Sequence, residues 1–314
     1  SESSAGSGMI PFDPERPLDV LGEKLFDYAG MFPPAARSFE RALEESSALP
    51  TSLERPWLLA NDLVLDTKHA RLLLSAVKHG KSGFTRPIRL TLLASESAAS
   101  VCELALELAE TTSSCPTPIV VASIEVKCSL GGCAASISLF RSCCSKVGAL
   151  LGIEPDLSVE PWREALLEAA HAARAEAQPL ALKCRCTGPT GIGAARLAQA
   201  MAEACDAGIP FKVTGGFHHP IVEPAKHEYP MGFLNLAAAV MLRRSLGHGA
   251  PLAALERLLT NASPTAISFT KGLVFESLGI SLDELRRVKH SQPFSIGSCS
   301  LGEPDADLHR LYDR

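Results

Sequence analysis

The chain has 314 residues, 46% of them hydrophobic and 21% charged, with a formal net charge of −5 and a pI near 6.0. That length forms one large domain or two of average size, with a core big enough to need neither disulfides nor a metal for stability. The mildly acidic balance excludes a nucleic-acid binder, which presents a dominant basic face. No uninterrupted apolar run of about 18 residues is present to span a membrane.

The Ser/Gly-rich stretch Ser1 to Gly8 precedes Met9 and reads as a tag or a processed, disordered end, so it carries no fold argument. From Ile10 to Pro34, Leu18, Leu21, Leu25 and Phe26 recur at helical spacing, and Gly30 with Pro33 and Pro34 stops the helix. A second helix through Phe39 to Leu43 completes an N-terminal helical segment, residues 9–50, packed on a domain of residues 51–314. From there short apolar runs alternate with longer amphipathic stretches. The runs are 57–65, 88–94, 119–126, 156–160, 180–186, 211–214, 266–269 and 294–296. The helical stretches are 68–79, 98–110, 137–151, 162–177, 194–207, 231–245 and 281–288. Eight strands alternating with helices predict an α/β fold of the (β/α)8 TIM-barrel type, with a doubly wound open sheet as the alternative. No G-x-G-x-x-G follows the first strand, which argues against a dinucleotide site.

The ten cysteines include no C-x-x-C pair. They read as reduced, small core residues of a protein in a reducing compartment. That points to the cytoplasm, or to an organellar stroma or matrix if a transit peptide has been removed.

Strands covered on both faces should be almost wholly apolar, and four of these are not. In residues 180–187, Leu182, Cys184 and Cys186 share one face while Lys183, Arg185 and Thr187 share the other, as strand geometry dictates. Phe211 and Val213 oppose Lys212 and Thr214. Ile124 and Val126 oppose Glu125 and Lys127, and Leu157 and Val159 oppose Ser158 and Glu160. Helices cover the outside of a barrel, so the apolar faces turn outward and Glu125, Lys127, Glu160, Lys183, Arg185 and Lys212 converge in the lumen. Unpaired buried charge is costly. The group therefore forms a structural ion-pair network or a site for an anionic small molecule, expected at the carboxyl ends of the strands.

Two glycine-bearing loops fit an anion site. Residues 188–193 follow the fifth predicted strand, and residues 297–302 follow the last. Backbone N–H groups in such turns can cradle phosphate or carboxylate. His218 and His219 close the sixth strand before Pro220, and adjacent strand residues point apart, so one of them enters the site. His218 suits proton transfer. The alternative is a metal held by His218, His219, Glu125 and Glu160, as in a metal-dependent hydrolase or lyase; otherwise neither metal nor cofactor is called for. A lysine that attacks a carbonyl must be neutral. A nearby cation and partial desolvation lower its pKa from ~10.4, and Lys183 has Arg185 and Lys212 as neighbours. Glu125, Glu160 or His218 would move the protons.

Two resemblances rest on motifs. Asp27-Tyr-Ala-Gly-Met-Phe-Pro-Pro34, Pro210-Phe-Lys-Val-Thr-Gly-Gly-Phe-His-His-Pro220, Gly232-Phe-Leu-Asn235 and Gly297-Ser-Cys-Ser-Leu-Gly-Glu-Pro304 resemble an uncharacterised bacterial family of about this length, which implies no activity. The C-terminal half also resembles deoxyribose-phosphate aldolase, through Leu182-Lys-Cys-Arg-Cys-Thr-Gly188, Phe211-Lys-Val-Thr-Gly-Gly216 and Ile296-Gly-Ser-Cys-Ser300. This second resemblance implies that Lys183 is a Schiff-base lysine and that Lys212 lowers its partner's pKa. It also implies that Gly215, Gly216, Gly297 and Ser298 bind phosphate. Arg185 stands where that family has a small residue, and His218-His219 has no counterpart there.

The sequence thus predicts a lyase or isomerase acting on a small anionic carbonyl compound. Lys183, Lys212, Glu125, Glu160 and His218 are its candidate catalytic groups. Arg185, Thr214, Gly215, Gly216, Gly297 and Ser298 are its candidate binding groups. A non-catalytic barrel that binds a metabolite or a protein is a further alternative. The expected partner is a small anionic metabolite, not nucleic acid or membrane, and a homo-oligomer is compatible with the sequence.

Overall fold

The computed structural model describes residues 9–80, 84, 86–111, 118–175, 180–223 and 231–312. The predicted tag at residues 1–8 lies outside them. The first elements in chain order are α1 (Pro17–Gly22), β1 (Phe26–Tyr28), α2 (Phe39–Ser52), β2 (Leu59–Asp66), α3 (Thr67–Lys78), β3 (Ile88–Leu93), α4 (Ala98–Glu110), β4 (Ile119–Cys128) and α5 (Cys133–Val147). There follow β5 (Leu150–Pro155), α6 (Trp162–Ala175), β6 (Leu180–Arg185), α7 (Ala194–Ala207), β7 (Phe211–Thr214), α8 (Phe233–Leu246) and α9 (Leu252–Leu259). The chain ends with β8 (Ile267–Ser268), β9 (Gly272–Phe275), β10 (Leu278–Ser281), α10 (Leu282–Ser291), β11 (Phe294–Ser298) and α11 (Gly302–Tyr312).

Eight parallel strands close into a barrel in the order β1-β11-β7-β6-β5-β4-β3-β2, with helices outside, so the fold is a (β/α)8 TIM-type barrel. Its outer faces carry the apolar residues that meet the helices: Ile124, Ile153, Leu182, Cys184, Phe211 and Val213 are all buried there. Register then fixes which residues share the lumen. Lys183 pairs with Lys212, Arg185 with Thr214, Lys127 with Glu154, Asp27 with Gly297 and Asp62 with Arg89. Because side chains alternate along a strand, register partners lie on one face.

Three predicted elements are corrected. The segment from Ile10 to Pro34 is not one helix. The α1 helix ends at Gly22, and Phe26–Tyr28 is a fully buried barrel strand. Residues of the 9–50 segment are therefore part of the barrel wall. Next, α5 ends at Val147, because Gly148 adopts a left-handed φ of 71° as its C-cap. That frees residues 150–155 to form the fifth strand, ahead of the predicted 156–160. Finally, residues 266–269 do not join the barrel. Ile267–Ser268 is the edge of a three-stranded antiparallel sheet, β10-β9-β8, and β11 is the eighth barrel strand.

Between β7 and β11 the chain adds α8, whose residues Phe233–Arg243 are all buried. That stretch, apolar but for Asn235 and Arg243, needs cover on every side, and α7, α9, α10, α1 and β10 pack around the helix. The nine described cysteines are free thiols, seven of them buried. No described helix is long and apolar enough to cross a membrane.

Candidate active site

The lumen holds a chain of ion pairs whose sign alternates. Asp27 Oδ2 lies 2.6 Å from Lys212 Nζ, which lies 2.6 Å from Glu125 Oε1. Glu125 Oε2 accepts from Lys183 Nζ at 2.6 Å, and that amine is also 2.8 Å from Glu154 Oε2. Glu154 Oε1 in turn accepts from Arg185 Nε at 2.8 Å. Ser295 Oγ donates to Asp27 at 2.9 Å. Three carboxylates thus face three cations from five strands, and the chain is neutral as a whole. Pairing of this kind offsets the desolvation that makes buried charge costly.

The electrostatics follow from the pairing. Burial pushes the Glu125 carboxyl up, but Lys183 and Lys212 outweigh it and hold it down to about 2. Burial works against the Lys212 ammonium, yet Asp27 and Glu125 hold it above the ordinary lysine range. Glu154, pushed up by burial, is held below the usual carboxylate range by Lys183 and Arg185. Asp62 behaves differently. Burial and the nearby Asp27 charge push it up to about 6, although Arg89 Nε donates to it at 2.8 Å.

Part of this ion-pair chain, Asp27, Lys212, Glu125 and Lys183, forms the floor of a cavity of about 750 Å³. Asp27, Asp62, Glu125, Lys183 and Lys212 line its depth; Ala60, Ala122, Ser123, Gly152 and Ala181 line its walls; Glu23, Lys24, Arg89, Lys289 and His290 stand at its mouth. The floor groups are nearly sealed, whereas the Lys24 side chain at the mouth is 70% exposed. The cavity opens at the amino ends of the strands. Leu150, Phe211 and Phe294 on its wall are first residues of strands, and Pro210 and Pro293 immediately precede strands. The sequence places the site at the carboxyl ends, and this cavity lies at the opposite ends. Barrels usually fill their lumen with layers of bulky branched residues, and here small side chains take those places. Gly152 has no room for more, since a Cβ there would lie 3.0 Å from Glu125 Cγ.

The predicted site residues therefore divide. Glu125, Lys183, Lys212 and Arg185 come together in one chain. Glu160 does not: it is exposed in the turn after β5 and pairs with Arg196 at 3.2 Å, and Glu154 takes the inward place on that strand. Lys127 shares the inward face but is exposed at the carboxyl end of β4. Thr214, Gly215, Gly216, Gly297 and Ser298 lie at the carboxyl ends, away from the cavity lining. Gly215 and Gly216 have left-handed φ of 85° and 87°, and a Cβ on Gly215 would sit 2.2 Å from Thr187 Oγ1. Packing alone thus requires glycine there. Ser298 Oγ donates to the Ser300 carbonyl at 2.5 Å.

His218 and His219 also sit at the carboxyl end, and they diverge as adjacent residues should. His218 is buried, with Nε2 3.6 Å from Cys299 Sγ and Nδ1 3.2 Å from Glu303. Burial, opposed by the Glu303 charge, lowers its pKa. His219 Nδ1 is 2.7 Å from Asp307 and 3.6 Å from Glu223. The predicted metal set of His218, His219, Glu125 and Glu160 is thus spread over separate places. The described residues that can converge on a cation are His219, Glu223 and Asp307, whose ligand atoms lie within 4.8 Å of one another. Arg310 already stands 2.9 Å from Asp307 there.

Sequence reasoning missed Asp27, Asp62, Arg89, Glu154 and Lys289. In Asp62-Leu-Val-Leu-Asp66 the alternation was visible, and Glu154 sits two residues from Gly152 in the same inward phase. Among known proteins, no family model and no curated sequence matches the chain.

Proposed function

We propose that this protein is an enzyme that admits a small anionic carbonyl compound to the lumen and acts on it by lyase or isomerase chemistry, with Lys183 as the Schiff-base amine. The observation that carries this reading is the open cavity ending on the ion-pair chain. A purely structural network needs no 750 Å³ space opening onto it. The (β/α)8 fold is compatible with an enzyme, and the similarity of residues 182–188, 211–216 and 296–300 to deoxyribose-phosphate aldolase supports the same assignment for Lys183 and Lys212.

The chemistry conserves charge. An ammonium and a carbonyl compound give a protonated imine and water, with no net proton released. The iminium carries the same positive charge as the ammonium it replaces, so Glu125 and Glu154 stabilise both. The proton that leaves the ammonium as the amine attacks returns to the carbinolamine oxygen as water leaves, so the step balances. Lys212 acts through Glu125, which stands between the two amines. Asp62, held near 6, is the group suited to exchange a proton with the substrate at neutral pH.

Borohydride trapping with a panel of aldehydes and ketones bearing phosphate or carboxylate tests this reading, with the adduct located by mass spectrometry. Reduction should mark Lys183 in the wild type and leave Lys183→Met unmodified. Absence of any adduct, together with full turnover by Lys183→Met, removes the covalent mechanism.

A further inference from the structure

The charged groups of the cavity are matched almost throughout. Asp27 and Glu125 face Lys212 and Lys183, and Glu154 with Arg185 continues the chain of pairs beyond the cavity lining. Asp62 faces Arg89, and Glu23 lies 3.7 Å from Lys24 and 3.8 Å from His290. Lys289 is the exception. It lies near the C-terminal end of α10, just before β11, half-buried on the cavity wall. Its Nζ donates to the Leu21 carbonyl at 3.0 Å, and no described carboxylate lies within 4.0 Å of it. An ammonium has three protons to donate, and among the described residues this one has a single acceptor. The neighbouring Arg244 of α8 adds positive charge and has no described carboxylate within that distance either. Its guanidinium donates to the carbonyls of Gln292 at 2.9 Å and Pro293 at 3.3 Å.

We propose that Lys289 receives the anionic group of the ligand, a phosphate or carboxylate oxyanion, at the amino-end mouth of the lumen, and that the glycine turns at the carboxyl ends do not. This inference rests on the lumen being the reacting centre. The oxyanion supplies the counter-charge that the protein withholds from Lys289, and Arg244 adds favourable field behind it. The carbonyl end of the ligand then reaches inward toward Lys183. Burial and the Arg244 charge, opposed by Glu23, push the Lys289 amine down to about 7. Folding alone does not favour a cation at that position, whereas an arriving anion does. The Leu21 carbonyl belongs to the last turn of α1, so a structural reading would make Lys289 a strap between α1 and α10. That reading predicts lost stability on substitution and no change in anion affinity.

The test titrates inorganic phosphate and malonate into the full chain by calorimetry, for wild type, Lys289→Met, Lys289→Arg and Ser298→Ala. Lys289→Met should weaken phosphate binding by about tenfold or more, the loss expected for one charge-assisted contact, and Lys289→Arg should recover most of it. Malonate should follow the same order if a carboxylate is accepted, and binding of phosphate alone narrows the ligand to phosphate esters. In wild-type protein, phosphate should also slow acylation of Lys289, read residue by residue by mass spectrometry; this arm does not depend on any variant folding. Undiminished phosphate binding by Lys289→Met overturns the proposal, as does phosphate binding lost in Ser298→Ala but kept in Lys289→Met. Failure of wild type to bind either anion also overturns it. Borohydride trapping at Lys183 reads the lumen chemistry separately: an adduct at Lys183 alongside unchanged phosphate affinity in Lys289→Met defeats the mouth assignment alone.

Discussion

Glu125→Gln separates a stabilising ion-pair chain from an idle one. The Glu125 carboxylate is buried with one oxygen 2.6 Å from Lys183 and the other 2.6 Å from Lys212. Glutamine keeps the shape and loses the charge. Lys183 then retains Glu154 and Lys212 retains Asp27, but the two ammoniums lose the anion between them. Breaking a buried pair costs roughly 3–5 kcal/mol, and the surviving partners place the expected loss near the low end. The carboxyl's own depression agrees. A fall from 4.5 to about 2 corresponds to about 3 kcal/mol, at ~1.4 kcal/mol per tenfold in proton affinity. The folded-state pKa is lowered, so this stability is fully present above about pH 4.5 and is lost as pH falls toward 2. Urea unfolding followed by circular dichroism, on wild type and variant at neutral pH and at stepped acid pH, gives the midpoint shift at constant slope. The difference should be about 3 kcal/mol at neutrality and should shrink steadily below pH 4.5. A neutral-pH difference under about 1 kcal/mol, or one that ignores acid, refutes the argument that Glu125 holds the two lysines together.

Lys289→Met should stabilise the protein at and below neutrality, by at most about 5 kcal/mol at ~1.4 kcal/mol per tenfold in proton affinity, less the lost contact to the Leu21 carbonyl. A lysine whose folded pKa is depressed from 10.5 to about 7 costs stability below 7, and the cost disappears above 10.5. Thermal melts across that range check the sign, and a lower melting temperature at pH 6 contradicts it. Asp62 is an acid with a raised pKa, so its cost appears as pH rises from 3.8 through about 6. Asp62→Asn should therefore be neutral or stabilising above pH 6, and it should remove the inflection near 6 from the pH–rate profile measured with any substrate found by trapping. Gly215→Ala meets both a left-handed φ and Thr187 Oγ1 at 2.2 Å. A loss of at least about 1 kcal/mol in urea unfolding is expected, and a silent substitution there would show that the turn relaxes.

Side-chain direction was legible in the sequence wherever a strand was long enough to alternate. Lys183 and Arg185 opposing Leu182, Cys184 and Cys186, and Glu125 opposing Ile124 and Val126, could be sorted into inner and outer faces without coordinates. The three residues Phe26–Tyr28 were not legible as a strand, because three positions cannot establish a two-residue period and Leu18, Leu21 and Leu25 imitate a continuing helix. Glu160 reads as the inward carboxylate in place of Glu154 because the apolar pattern of α5 continues past Gly148, whose left-handed cap ends the helix. Which end of the lumen opens could not be read at all. Ala60, Ala122, Gly152 and Ala181 are scattered through the chain, and only closure of the barrel brings them to one cavity. Lys289 looks like any polar residue on an amphipathic helix until Leu21 and Arg244 are brought beside it.

The α8 helix sets a lower limit on how far this barrel can be trimmed. Eight strands and their ordinary connections do not suffice, because the rod that follows β7 is buried at every position along Phe233–Arg243. The α9 helix and the small β8–β10 sheet are its jacket. A shortened version that joins α8 directly to α10 would bare a greasy surface of the kind that drives self-association, so this excursion belongs to the smallest soluble form of the molecule.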